Sequence, residues 1–246
     1  MRILLLDIET TPHTVYVWGL FNNQSISPDN IEETGSVLCW AAKWHGEKEM
    51  LHASRADGHK RMLVGIHKLL TEADVVVHYN GTKFDIPKLN AEFVKYGMSP
   101  PAPYKQVDLY RQVKQTFKFA SNKLSFVAEQ LGLEKKKKAE YILWIRAMHG
   151  DTKALNELIE YNKQDVVVLE ELYNRIIPWV DQHPNHSAFE DKKCCPKCGS
   201  GEIQRRGRQV SRTAVYARFQ CLGCGGWFRD NKRLLQSKDP TTQIRQ

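Results

Sequence analysis

Two acidic residues separated by a single position stand near the start of the chain. Asp7 and Glu9 lie at the end of an apolar run, residues 2–8, that is typical of a buried strand. Side chains two positions apart on a strand project to the same face, so these carboxylates are expected to lie side by side. Such a pair repels unless cations balance it, and oxygen ligands suit Mg²⁺ or Mn²⁺. The alternative is that the strand has ended and both acids face solvent.

A third acid, Asp85, follows a Val-rich strand predicted over residues 73–79 and stands where a helix predicted over residues 87–96 begins. Loops at strand ends collect functional groups in sheet proteins. Asp85 is therefore either part of a site or a simple N-cap of the helix, because Asp accepts hydrogen bonds from first-turn amides.

A fourth acid, Asp165, falls on the apolar seam of a helix predicted over residues 152–176. A carboxylate on a core-facing stripe must be paired, neutralised or bound to a metal. Tyr161 lies four residues earlier, so its phenol shares the same helix face. A bond from Asp165 to a buried polar partner is the structural alternative.

Two Cys-x-x-Cys pairs occur in the last quarter of the chain, with 22 residues between them: Cys195 with Cys198, and Cys221 with Cys224. Four thiolates in this spacing are typical of one tetrahedral zinc ion. Disulfides are the alternative, which the paired two-residue gaps disfavour. Cys194 could replace Cys195 as a ligand, although the spacing favours Cys195.

The charge of the chain is unevenly distributed. Residues 1–190 have 23 Lys and Arg against 24 Asp and Glu, a net −1, whereas residues 191–246 have 13 against 4, a net +9. Four zinc-bound thiolates would subtract about two of those charges. The asymmetry indicates a polyanionic partner, and a solvated basic tail is the alternative.

The basic residues of this segment alternate with aromatic ones. Arginine suits phosphate, and aromatic rings can stack on bases. At least Phe219 or Trp227 is expected to fill the small core of the segment instead. The arginines predicted to contact nucleic acid are Arg205, Arg206, Arg208, Arg212 and Arg218.

The elements that must position these groups follow the order of a mixed sheet with flanking helices. Strands are predicted over residues 2–8, 15–18, 37–44, 49–52 and 73–79, and a further short strand ends near Asp108. Helices are predicted over residues 59–70 and 87–96, and between Asp108 and about residue 177. We expect a catalytic domain at 1–180, a linker at 181–193, a small β-rich module at 194–233 and a basic flexible tail at 234–246.

Composition limits the class of protein. The 41% hydrophobic and 26% charged residues are ordinary for a globular chain, and no apolar run is long enough to span a membrane. The N-terminus lacks the pattern of a secretory signal. We therefore expect a cytoplasmic protein that does not bind membranes.

Three segments together resemble the exonuclease motifs of the DEDD superfamily: Asp7-Ile8-Glu9-Thr10, Asn80 through Phe84-Asp85, and Tyr161-Asn162-Lys163-Gln164-Asp165. The Tyr-x-x-x-Asp spacing matches the DEDDy branch, and the resemblance extends over residues 1–177. It implies a ribonuclease-H-like fold, two Mg²⁺ or Mn²⁺ ions, and removal of nucleoside monophosphates from a 3′ end. By position, the four acids would bind the metals and Tyr161 would orient the attacking water. The cysteine-containing segment resembles a zinc ribbon.

Two further residues are auxiliary candidates by the same resemblance. Asp108 matches an acid that the family often places between its second and third motifs, and Lys123 stands in a region where it can meet a phosphate. A solvated surface lysine is the alternative for Lys123. The lysine run at residues 135–138 is expected either to contact the substrate backbone or to be solvated.

The motifs together favour a 3′-to-5′ exonuclease acting on DNA in preference to RNA. An exoribonuclease, a structure-specific endonuclease and a non-catalytic nucleic-acid-binding protein are the alternatives on the same fold. A fold that has lost catalysis usually lacks a ligand, and all four acids are present here.

Overall fold

The computed structural model of the protein describes residues 1–19, 25–134, 139–189 and 192–236. The chain divides into two compact units, residues 2–173 and residues 174–246 together with Met1. The lysine run at 135–138 and most of the predicted tail, residues 237–246, lie outside the described residues.

The strands of the larger unit form a five-stranded mixed sheet, as the sequence predicted, and a separate two-stranded sheet. They are β1 (Ile3–Thr10), β2 (Thr14–Val15), β3 (Ile31–Glu33), β4 (Val37–Trp44), β5 (Leu51–Ser54), β6 (Val75–His78) and β7 (Lys105–Asp108). The main sheet has the order β5-β4-β1-β6-β7, in which β1 is antiparallel to β4 and parallel to β6. Strand β1 is therefore central, and both of its neighbours shield its backbone.

The helices are α1 (His59–Glu72), α2 (Asp85–Lys95), α3 (Leu109–Thr116), α4 (Leu124–Gln130), α5 (Tyr141–Met148) and α6 (Thr152–Ile176), followed by the short α7 (His186–Phe189). Residues 109–176 are thus helical in four pieces, in agreement with the sequence. Every helix in the described ranges is too short or too polar to pass through a bilayer.

Side chains alternate between the two faces of β1, so that one face packs in the core and the other bears the acids. Leu4, Leu6 and Ile8 enter a core built with α1 and α2. Asp7 and Glu9 have the opposite parity, so they point to the other side of the sheet. On that side, a second core joins Leu38 and Cys39 of β4 to residues of α5 and α6. The site acids therefore face α5 and α6.

One predicted strand is much shorter in the structure. The pattern at residues 15–18 predicted four strand residues, but only Thr14–Val15 pair, with β3, outside the main sheet. The relative exposure of Trp18 is 106%, so its indole packs against no apolar surface. A segment of β-branched and aromatic residues forms a strand only where a sheet can bury its side chains.

The smaller unit contains a three-stranded antiparallel sheet in the order β10-β9-β8, formed by β8 (Ile203–Val210), β9 (Ala214–Cys221) and β10 (Trp227–Gln236). Strand β10 continues three residues beyond the predicted end of the module at residue 233. Helix α7 lies within the predicted linker, and the backbone N–H of His186 donates to the carbonyl of Pro196, 3.0 Å away. Phe219 is buried and Trp227 is exposed, which confirms that one of this pair fills the core.

Candidate active site and cysteine cluster

The structure brings three of the predicted site acids together. Carboxylate oxygens of Asp7, Glu9 and Asp165 all lie within 4.8 Å of one another. Asp7 and Glu9 come from β1, and Asp165 comes from the middle of α6, where it is 4% exposed. Asp7 and Asp165 are far apart in sequence and meet because α6 packs against the face of β1 that bears the acids.

The donor set fits a divalent cation. Three carboxylates at this spacing repel each other strongly when one of them is buried, unless positive charge is placed among them. All the ligand atoms are hard oxygens, which is the set that Mg²⁺ and Mn²⁺ prefer over zinc or copper.

The fourth predicted acid, Asp85, lies beside this group without belonging to it among the described residues. It is the first residue of α2, whose N-cap is Phe84, so Asp85 is not the N-cap. Its Oδ1 accepts a hydrogen bond from the backbone N–H of Ile8, 3.2 Å away. Ile8 stands between Asp7 and Glu9, so the contact anchors Asp85 to the strand that bears the other acids.

Burial raises the pKa of Asp85 to about 7, against the opposing effect of hydrogen bonds from backbone N–H groups, and the nearby charge of Asp108 adds to the rise. A nearby cation would lower the pKa of Asp85 again, because positive charge favours the ionised form of a carboxyl group.

Trp144 of α5 holds the second acid. Its indole Nε1 donates to Oε2 of Glu9 at 2.8 Å. The same indole meets the ring of Tyr161 edge to face, with centroids 5.6 Å apart. The predicted water-orienting tyrosine and one predicted ligand therefore share a single aromatic neighbour.

Asn162 holds the first acid. This residue is fully buried on α6, and its Nδ2 donates to Oδ2 of Asp7 at 2.6 Å. A neutral donor fixes the direction of the carboxylate without cancelling its charge, so Asp7 keeps its capacity to bind a cation.

Neither Trp144 nor Asn162 was predicted from the sequence to have a role in the site. A role for Asn162 could have been predicted, because it is a polar residue on the apolar seam of α6. A role for Trp144 could not have been predicted, because α5 reaches Glu9 only through tertiary packing.

An open groove of about 610 Å³ lies beside the acids. Asp7 and Asp165 form part of its wall, and Tyr79, Tyr110 and Lys123 form another part. The Tyr79 hydroxyl donates to the carbonyl of Asn122 at 2.6 Å, which fixes the segment before Lys123. The predicted phosphate-contacting lysine thus shares a groove with two of the acids.

Asp108 has a structural role in the observed arrangement. Its Oδ1 accepts from the backbone N–H groups of Asn80, Tyr110 and Arg111 at 2.9, 3.1 and 3.4 Å. It thereby caps α3 and ties down Asn80, which has a positive φ of 66°. Participation of Asp108 in the chemistry stays a prediction.

Buried His78 supports the same loop. Its Nδ1 accepts from the N–H of Gly81 at 3.0 Å, so its Nε2 carries the proton and donates to Oε1 of Gln106. Burial lowers the pKa of His78, although the charge of Asp108 acts in the opposite direction. A neutral imidazole is therefore built into the turn that leads to Asp85.

The second cluster is formed by cysteines. Sulfur atoms of Cys195, Cys198, Cys221 and Cys224 all lie within 4.8 Å of one another, and Cys194 is not a member of this group in the described chain. The N–H of Cys224 points at Sγ of Cys221, 3.4 Å away, as expected when backbone amides support thiolates. Four sulfur donors at this spacing fit a tetrahedral zinc ion.

The five arginines predicted to contact nucleic acid are all exposed in the smaller unit. Four belong to the strands β8 and β9, and Arg212 lies in the turn between them.

A family model described as RNase_H superfamily matches residues 4–177, which is most of the chain. The chain belongs to the RNase H superfamily. As a member of this superfamily, it has the fold of nucleases, and nucleic acid is the substrate class that this fold supports. The matched span contains all four acids and Tyr161.

A structural relative agrees with this superfamily fold. The chain is similar to the family B DNA polymerase from the hyperthermophilic archaeon Pyrobaculum calidifontis, with a TM-score of 0.50 and 17% sequence identity. The similarity covers 86% of this chain and 31% of the polymerase, so the chain spans about a third of that protein. At this identity the likeness concerns the fold alone. No match was found among curated proteins.

Proposed function

We propose that this protein is a metal-dependent 3′-to-5′ exonuclease that removes nucleoside monophosphates from DNA. The observation that supports it best is the meeting of Asp7, Glu9 and Asp165 within 4.8 Å beside an open groove. The motif order of the DEDDy branch supports the direction of cleavage, and DNA is the substrate that the sequence analysis favoured over RNA.

In this proposal Asp7, Glu9 and Asp165, joined by Asp85, hold two Mg²⁺ or Mn²⁺ ions. When bound, such ions supply Lewis-acid stabilisation of phosphoryl charge and a more acidic water. The chain itself does the positioning. Asn162 and Trp144 fix the directions of the Asp7 and Glu9 carboxylates, and these contacts preset the cage before substrate arrives.

Tyr161 orients the attacking water in this proposal. Its ring lies against Trp144, which restricts the directions in which the hydroxyl can point. Lys123 meets a phosphate of the strand in the groove, and the neighbouring rings of Tyr79 and Tyr110 offer surfaces for the terminal nucleotide.

The smaller unit is proposed to be a zinc ribbon that assists nucleic-acid binding through its arginines. Its four cysteines hold one Zn²⁺, and the net charge of +9 in residues 191–246 favours a polyanion. A zinc site made of cysteine thiolates is typical of a reducing compartment, so the cluster of Cys195, Cys198, Cys221 and Cys224 supports a cytoplasmic location.

The direction and substrate are tested with 20-mer DNA and RNA oligonucleotides that carry a label at the 5′ or the 3′ end, in Mg²⁺ or Mn²⁺. We expect a descending ladder from 5′-labelled DNA and immediate release of a labelled mononucleotide from 3′-labelled DNA. Faster digestion of RNA would indicate an exoribonuclease. Cleavage of circular single-stranded DNA would indicate an endonuclease.

Matched variants tie the activity to the site. Asp165→Ala is expected to lose several orders of magnitude in rate, because the metal geometry serves every catalytic role. Glu157→Ala removes an exposed acid of the same helix and is expected to digest like the wild type. Equal rates for both variants and the wild type would refute the proposal.

A further inference from the structure

One face of the ribbon sheet combines arginines with aromatic rings. Tyr216 and Arg218 lie two positions apart on β9, so they share a face. The register places Arg229 opposite Arg218, and Arg233 opposite Tyr216. Trp227 lies opposite Gln220, which has the same parity. We call this surface the Arg218 face: Tyr216, Arg218, Trp227, Arg229 and Arg233.

The guanidinium groups of this face are held against the rings. Cζ of Arg218 lies 5.0 Å from the ring centroid of Trp227, and Cζ of Arg229 lies 3.8 Å from that of Tyr216. Arg218 Nε also donates to the carbonyl of Arg206 at 3.0 Å. Two arginines are thus preorganised, with other N–H groups left to donate.

Exposure and charge make the face suitable for a polyanion. Arg218 and Arg229 are exposed, and Trp227 keeps 47% of its surface exposed although it is an indole on a sheet. Residues 203–236 contain eight Lys and Arg but a single acid, Asp230. The face therefore attracts negative charge and offers a flat ring beside it.

The opposite face has a different use. Phe219 and Phe228 stack there with centroids 5.6 Å apart, and Phe219 is buried. Arg205 and Arg208 pair with Phe219 and Ala217, so they project to this second face. Its aromatic rings serve the small core of the ribbon. Two exposed arginines on the core side thus provide a natural comparison with the two on the Arg218 face.

We propose that the Arg218 face binds single-stranded nucleic acid, with phosphates on Arg218 and Arg229 and one base stacked on Trp227. A duplex exposes its backbone and its base edges but keeps the faces of its bases stacked inside, so no base could stack on the exposed indole. An acidic polypeptide would pair with the arginines but has no aromatic face for Trp227. The inference deepens the proposed function, on which it rests for the class of ligand.

Binding is measured by fluorescence anisotropy with the full-length, zinc-loaded protein and no added Mg²⁺ or Mn²⁺. The probes are 5′-fluorescein dT20, the matching U20, and an abasic 20-mer phosphodiester of equal charge, at 50–300 mM NaCl. The charge-matched variants are Arg218→Ala/Arg229→Ala and Arg205→Ala/Arg208→Ala. The ring variant is Trp227→Leu.

Loss of two phosphate contacts on a single strand should reduce the salt slope by roughly 1.4 and weaken dT20 binding about tenfold or more in the Arg218/Arg229 variant. The Arg205/Arg208 variant should weaken dT20 binding by only about threefold. On this inference these two sequence-predicted arginines contribute long-range charge, which salt screens, and make no direct phosphate contact. Trp227→Leu should weaken dT20 about 5- to 100-fold and leave the abasic probe unchanged.

Folding is checked by zinc content, which should be the same in every variant as in the wild type. Arg218→Lys/Arg229→Lys keeps the charge and the fold but loses the planar fork, so intermediate binding is expected. Equal losses in the two alanine double variants would overturn the inference. The inference would also be overturned if Trp227→Leu weakened binding of dT20 and of the abasic probe alike. Displacement of dT20 by polyglutamate at equal charge concentration would overturn it as well.

Hydrolysis of thymidine 5′-monophosphate p-nitrophenyl ester in Mn²⁺ separates this inference from the proposed function. Face-specific binding of dT20 by a protein that hydrolyses neither the ester nor DNA would refute the exonuclease and support the Arg218 face. Hydrolysis of the ester and of DNA, combined with equal losses of dT20 affinity in the two alanine double variants, would support the exonuclease and refute the Arg218 face.

Discussion

The indole Nε1 of Trp144 donates a hydrogen bond of 2.8 Å to Oε2 of Glu9, a residue 135 positions away in the chain. The contact joins α5 to the central strand β1. Because the same ring lies against Tyr161, one side chain sets the position of two proposed site residues. Such outer contacts commonly determine how well a metal cage is formed.

The first prediction concerns this hydrogen bond. Trp144→Phe keeps an aromatic ring against Tyr161 but removes the donor to Glu9, so the Mn²⁺ concentration needed for half-maximal activity should rise by about 10- to 100-fold. Trp18→Phe, at a fully exposed indole, is the control. Unchanged metal dependence in Trp144→Phe would show that the contact does not position Glu9.

The second prediction concerns Asn162. Asn162→Asp places a buried carboxylate against Oδ2 of Asp7, where the amide donor now stands at 2.6 Å. Without divalent cations the unfolding free energy should fall by about 3–5 kcal/mol, the range seen for an unpaired buried charge. Asn156→Asp changes an exposed position of the same helix and should leave stability near that of the wild type. Thermal unfolding of both variants decides the point.

The third prediction uses the repulsion among the clustered acids. Asp165→Asn removes one buried negative charge, so in buffer without divalent cations we expect the melting temperature to rise by about 2–4 °C. Mn²⁺ should raise the melting temperature of the wild type and have little effect on the variant. A variant that is less stable than the wild type in both buffers would mean that Asp165 serves the fold and not a cation.

The fourth prediction distinguishes the adjacent cysteines. Cys195 belongs to the four-sulfur cluster and Cys194 does not. Cys195→Ser should lose the single zinc ion per chain in elemental analysis, whereas Cys194→Ser should retain it. The opposite pattern would move the first ligand by one residue.

The fifth prediction concerns pH. The pKa of His78 is lower in the folded protein than its ordinary value of about 6.5, because the ring is buried. Below this value the unfolded chain therefore binds more protons than the folded protein does. The stability that neutral His78 provides at higher pH is lost as the pH falls from this value through the folded pKa. His78→Asn keeps an acceptor for Gly81 and should show a smaller fall in urea midpoint between pH 7.5 and 5.5.

His52→Asn, at an exposed histidine of β5, is the matched control and should follow the wild type. A His78→Asn profile that runs parallel to the wild type over this range would exclude His78 as a source of the acid sensitivity.

Much of the fold was predictable because local pattern and tertiary structure agree. The alternation in β1 predicted that Asp7 and Glu9 share a face, and the helical spacing placed Tyr161 and Asp165 together. Trp144 was not predictable, since its contact depends on where α5 packs. The prediction of a strand at residues 15–18 was wrong because β propensity does not show whether a partner surface exists.

In the ribbon, too, local sequence pattern predicted some features, and tertiary structure determines the others. The cysteine spacing predicted which sulfur atoms meet, and composition predicted a basic surface. Which arginines share a face depends on strand register and on the irregularity between Arg205 and Arg208, which no local pattern encodes.

The most direct test of the account is anomalous scattering from crystals of the full chain soaked in Mn²⁺. We predict two peaks in one pocket, at coordination distances of about 2 Å from carboxylate oxygens of Asp7, Glu9 and Asp165, with Asp85 turned toward one of them. Mn²⁺ bound elsewhere, with these carboxylates left without a peak between them, would contradict the account.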